Sequence, residues 1–149
     1  MVILFFMKAT LLFIIMLLSV SFFVGCDQKT DREKFESTID SFAYYYLNSQ
    51  YPHAIPYVTP ESKKWLEYAS SQITQADIDI LRALPEGASY EIGVNSYHEN
   101  DTTASVEIVA NNVLVLDTIG GGGKIVPETN RVFELKRRNG KWLVHLTEL

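Results

Sequence analysis

The chain has 149 residues, 47% of them hydrophobic, which is enough to bury one core and suits one domain rather than two. Acidic residues outnumber basic ones by 18 to 13, for a formal net charge of -5, so nothing in the electrostatics points to a nucleic-acid partner. A lone cysteine, Cys26, excludes an internal disulfide, and three isolated histidines without CxxC or HxxxH spacing supply no recognisable metal site, nor is there a cofactor motif.

From Ala9 to Val24 the sequence ATLLFIIMLLSVSFFV carries no charge, and Met7-Lys8 supplies a positive n-region at an alternative start. This is the layout of a secretory signal peptide, shorter than the roughly 20 residues of a spanning helix. A start at Met1 would let Val2 to Val24 just span, with Lys8 embedded at an insertion cost of about 3 kcal/mol. Phe23-Val24-Gly25-Cys26 resembles the lipobox of bacterial lipoproteins, departing from it at Phe23, where Leu is usual. The resemblance implies diacylglycerol transfer to the Cys26 thiol, cleavage after Gly25 and acylation of the new amino terminus. The alternative is a cysteine buried as a small hydrophobe in an ordinary signal or anchor helix. Acyl chains contributing about 0.8 kcal/mol per methylene would hold the mature protein on the membrane without a spanning helix. Asp27 resembles the inner-membrane retention signal of enteric-type bacteria, which other diderm lineages read differently, so inner and outer membrane both stay open, on the extracytoplasmic side. The expected division is a removed signal peptide over 1–25, a lipidated cysteine and polar tether over 26–32, and one domain over 33–149.

In that domain Phe35, Ile39, Phe42, Ala43, Tyr46 and Leu47 recur at spacings of three and four, predicting a helix from about Asp31 to Ser49, with Tyr44 on its outer side. Pro52, Pro56 and Pro60 restrict YPHAIPYVTP to a short helical turn or loop. Thr59 as N-cap and Pro60 at the first position predict a second helix carrying Trp65, Leu66 and Ala69 on one side. Thr74, with Asp77 in the capping-box position, predicts a third, whose face is Ile78, Leu81 and Leu84 and whose stop is Pro85 with Gly87.

After Ala88 the period changes to two. Tyr90, Ile92 and Val94, then Ala104, Val106, Ile108 and Ala110, predict an antiparallel hairpin whose preferred connection is Asn100 to Thr102, with His98 on the core-facing side. A second hairpin turns at Asn139-Gly140, a type I′ signal. Counting outward sets Arg138 against Lys141, Arg137 against Trp142, Leu135 against Val144 and Phe133 against Leu146. Glu134 then faces His145, Lys136 faces Leu143 and Val132 faces Thr147, with His145 directed away from the helix-covered core. Gly120 to Lys124 is not a phosphate loop, since Thr118 and Ile125 stand where Gly and Ser or Thr are required; it reads as a flexible connection, with a flap over a cavity as the functional alternative.

The expected fold is α+β: N-terminal helices packed on one face of a curved antiparallel sheet of about four to six strands. The long first helix, NSQYPHAIPYVTPES and the ending LKRRNGKWLVHL resemble the nuclear transport factor 2-like superfamily, which implies a cone-shaped cavity between helices and sheet. A cystatin-like domain is the alternative; it usually has one principal helix. The superfamily contains ketosteroid-isomerase-like enzymes and many members that only bind ligands or proteins, so the fold does not decide activity.

An isomerase or dehydratase needs a base and an oxyanion donor in the cavity. Candidate donors are Tyr45, Tyr46, Tyr90 and Trp65; candidate bases are His98 and Asp117. Aromatic residues at helical spacing are more often core. The leading expectation is a non-enzymatic, lipid-anchored module that binds a small apolar ligand or a protein partner, with Tyr46, Trp65, Tyr90 and His98 as ligand-binding candidates. The alternatives are the cavity enzyme and an accessory or immunity-like protein working through its surface. Val132, Leu143 and Val109 on the outer sheet face offer a homodimer surface.

Overall fold

The computed structural model describes residues 30–98, 101–116 and 121–148; Cys26 and Asp117 lie outside them. The domain is α+β, with helices packed against an open, curved, four-stranded antiparallel sheet.

Helix α1 (Asp31–Leu47) opens on a capping box: Thr30 Oγ1 accepts the Glu33 N–H, and Glu33 Oε2 accepts the Thr30 N–H at 2.6 Å. Its buried residues are the six of the predicted stripe, and Tyr44 is half exposed. The helix ends two residues before the expected Ser49, which takes a left-handed φ of 57° and cannot extend it. Asp31 fastens the first turn to the sheet, pairing with Arg137 Nη2 at 2.9 Å and accepting from Tyr97 Oη and Trp142 Nε1.

The proline-rich passage forms a short helix, α2 (Tyr51–Ala54), and a 3-10 turn (Ile55–Tyr57). Val58 then bridges Val144 in parallel, and Thr59 N–H donates to the Val144 carbonyl at 2.9 Å. Pro60–Ser62 is a 3-10 turn leading into α3 (Lys63–Gln72), so Thr59 does not cap a regular helix as expected. Its hydroxyl is drawn instead to Ser62 Oγ at 2.7 Å. Leu66 and Ala69 of α3 are buried and Trp65 is half-buried. The predicted capping box of Thr74 and Asp77 starts α4 (Gln75–Ala83).

The sheet is a meander of β1 (Ser89–Ser96), β2 (Thr103–Leu116), β3 (Gly123–Arg138) and β4 (Lys141–His145), in that spatial order. The last hairpin has the predicted register from Arg138–Lys141 through Glu134–His145. In the first hairpin apolar residues still meet apolar ones, but Val94 faces Val106 and Ile92 faces Ile108, two residues from the preferred alignment. The register shifts between Val94 and Ser96, a bulge that reverses the alternation after it. Tyr97 therefore packs inward on Phe35 and Trp142, with ring centroids 4.7 and 5.8 Å away, and His98 is exposed beyond the strand end, not core-facing as expected.

Gly123 and Lys124 belong to β3, which runs as one strand from the glycine-rich segment to the Asn139-Gly140 turn. Gly123 approaches its neighbours closely: a Cβ there would lie 2.8 Å from Leu114 Cδ1 and 3.1 Å from Asp77 Oδ1, so a side chain at this position would displace the Leu114 side chain. Helix α1 crosses β4 and β2, and Phe35, Phe42, Tyr46, Phe133, Leu135 and Trp142 fill the space between. Each large apolar side chain so buried contributes about 1.5–3 kcal/mol.

Candidate functional site

β3 pairs with β2 along its length, whereas β4 accompanies it only as far as Glu134–His145. Continuing the hairpin count would set Phe133 against Leu146, Val132 against Thr147 and Arg131 against Glu148, but the ladder ends before those pairs. Leu146 is held elsewhere: its N–H donates to Ser62 Oγ at 2.8 Å, and the same hydroxyl donates to its carbonyl at 3.3 Å. Between the parted segments lies an open pocket of about 420 Å³, with Tyr46, Arg131, Phe133, His145, Thr147 and Glu148 among its walls.

Arg131 sits opposite Ile108, on the face of the sheet that also carries Phe133 and Leu135. It is half-buried, and its Nη1 donates to Tyr46 Oη at 3.0 Å. Among the described residues it has no other hydrogen bond and no carboxylate partner. Two other basic residues of β3 are paired, Arg137 with Asp31 and Arg138 with Glu61. Tyr46 itself is buried from α1, stacked on Phe42 with centroids 5.1 Å apart and edge-on to Phe133. Burial pushes its phenol above the ordinary value, and Arg131 beside it offsets part of that rise, so the oxygen is a neutral acceptor at physiological pH.

Tyr51 stands edge-on to Tyr46, and burial raises its phenol as well, with the neighbouring Tyr46 adding to the rise. Ser49 Oγ lies beside it, buried, without reaching hydrogen-bonding geometry. His145, the end of β4, places Nδ1 3.2 Å from Thr59 Oγ1, so it joins the buried Thr59–Ser62 pair and the pocket wall.

Comparison with protein-family models, curated proteins and solved structures finds no match. The functional reading therefore rests on this geometry and on the amino-terminal sequence.

The four expected ligand-binding residues are not gathered at one place. Tyr46 lines the pocket. Trp65 lies on α3 under Lys64, whose Nζ is 4.8 Å from the ring centroid. Tyr90 reaches from β1 to α1, donating to Asp40 Oδ1 at 2.9 Å. His98 is exposed, and neither it, Trp65 nor Tyr90 lines this pocket. Tyr45, a candidate donor, stacks with His53 and Tyr57. A second open pocket, about 500 Å³, lies beside the Asn139-Gly140 turn between Lys34, Tyr57 and Lys141. On the outer sheet face Val132 is 61% exposed, while Val109 and Leu143 are half-buried.

Arg131, His145 and Glu148 had no role in the expected site. One signal for Arg131 was present: it stands two residues before Phe133 and four before Leu135, an inward position where alternation calls for an apolar side chain. Among the described residues no cluster of three His, Cys, Asp or Glu side chains is placed to hold a metal, and no helix is long and apolar enough to cross a membrane.

Proposed function

We propose that the chain is a lipid-anchored, extracytoplasmic binding module, held in the cell envelope of a diderm bacterium through Cys26 and receiving a small ligand or a protein partner at the pocket beside Arg131. The anchor reading is supported by the Phe23-Val24-Gly25-Cys26 sequence at the end of an uncharged run. The binding reading is carried by one observation: β4 parts from β3 after His145 and leaves an open recess beside a half-buried cation. Helices preceding an antiparallel sheet also support kinship with nuclear transport factor 2-like domains. In this chain aromatic residues fill the interior between α1 and the sheet, which favours recognition at the open recess over capture in a deep apolar cone. An isomerase or dehydratase would require a base at the recess; of the two expected bases His98 stands outside it and Asp117 is outside the described residues, while the titratable groups in its wall are Tyr46, Arg131, His145 and Glu148.

Photo-crosslinking in native membranes tests the binding reading. A crosslinker at Thr147, on the rim, should trap a discrete species that one at Gln75, on α4, does not. Identical adducts from both positions would defeat it.

A further inference from the structure

The geometry points to a carboxylate as the ligand of this pocket: we propose that Arg131 grips a small organic carboxylate, with Tyr46 holding the guanidinium in place and Phe133 offering an apolar wall. This rests on the reading of the recess as a binding site and adds the chemical class of its occupant.

A half-buried guanidinium is costly to keep without a counter-charge. Arg131 has lost water on the helix-covered face of the sheet and gained one neutral partner, the Tyr46 oxygen. That bond engages Nη1 and leaves Nε and Nη2 without a protein partner among the described residues. Those two nitrogens form one edge of the planar fork, the edge a carboxylate meets through two parallel hydrogen bonds. The strand pattern explains why no internal acid meets it. Across β2 the partner is Ile108, and on the other side the ladder ends before Glu148 would come opposite. Glu148 remains in the pocket wall, exposed and unpaired with Arg131. The recess, about 420 Å³, exceeds what one carboxylate needs and leaves room for an attached apolar group against Phe133.

The other basic pocket, with Lys34 and Lys141, is the weaker candidate for an anion because both are lysines at exposed positions, where water already solvates the charge.

Benzoate and its neutral isostere benzamide are the probes, titrated into the full chain in detergent micelles, with affinity followed by amide chemical shifts and by Tm. Benzoate should bind, with shifts centred on Arg131, Phe133 and Thr147, and benzamide should bind at least about 10-fold more weakly. Arg131→Met should weaken benzoate by about 10-fold or more, and Arg131→Lys, which keeps the charge but not the fork, should fall between. Tyr46→Phe provides a folded variant in which the charge remains but its support is gone; it should weaken benzoate by a smaller factor. Equal binding of both probes at the recess would overturn the carboxylate while leaving the binding site standing. Binding of neither would overturn both. Benzoate affinity unchanged in Arg131→Met would also overturn the assignment.

Discussion

Asp77 Oδ1 accepts the N–H of Gly123 at 2.6 Å, tying the first turn of α4 to the start of β3. The other oxygen, Oδ2, accepts from both the N–H and the hydroxyl of Thr74, at 2.8 and 2.7 Å. One wholly buried carboxylate thus completes a helix cap and pins the strand that carries the pocket cation. Asp77→Ala leaves Gly123 and Thr74 without their acceptor and should cost about 2–3 kcal/mol, read from urea denaturation. A loss below about 0.5 kcal/mol, the range of ordinary surface substitutions, would mean the pin contributes nothing.

The same carboxylate sets an acid limb. Hydrogen bonds, first from the Thr74 hydroxyl, hold Asp77 below its usual value of 3.8. A group depressed in the folded state contributes stability that is present above the unfolded pKa and lost as pH falls through the folded one. Stability should therefore decline below about pH 4, and Asp77→Asn should flatten that decline. Glu61 is held at about 2 by its hydrogen bond to Arg138, but both side chains are exposed, so Glu61→Gln should change the limb little.

Three phenols set the alkaline limb. Burial raises Tyr46 and Tyr51, and desolvation followed by the Asp40 contact takes Tyr90 to about 12. Groups raised in the folded state contribute stability that is complete below their unfolded pKa and lost as pH rises through the folded one. Denaturation midpoints should hold to about pH 10 and fall beyond it, together with the appearance of phenolate absorbance. Tyr46→Phe should reduce that slope, at a cost of about 1.5 kcal/mol at neutral pH for the bond to Arg131.

Ser62→Ala tests what keeps the pocket open. It removes the hydroxyl that serves Leu146 on both its N–H and its carbonyl, and Thr59 besides. The expected cost is about 1–3 kcal/mol. Amide exchange at Leu146 should accelerate in step, because its N–H loses a buried acceptor. Unchanged protection at Leu146 would show that Ser62 does not hold that segment.

The class of fold was legible because three of its signals are local. The capping box of Thr74 and Asp77, the six-residue stripe of α1 and the Asn139-Gly140 turn each act within a few residues, and the structure contains all three. The first hairpin was less legible, since a bulge between Val94 and Ser96 shifts its register and sends Tyr97, not His98, inward. Periodicity contains no sign of such an insertion. The pocket was least legible. It exists because β4 stops at His145 while β3 continues, and that stop involves a serine more than eighty residues earlier in the chain, Ser62. Thr59 has the local pattern of an N-cap, but its hydroxyl is shared between Ser62 Oγ at 2.7 Å and the distant His145 Nδ1 at 3.2 Å.

The proposed anchor at Cys26 would hold the domain on a membrane. Metabolic labelling with a fatty-acid analogue, comparing the wild-type chain with Cys26→Ser, tests it most directly. Label on the wild type and none on Cys26→Ser is the predicted result; equal labelling of the two would contradict it.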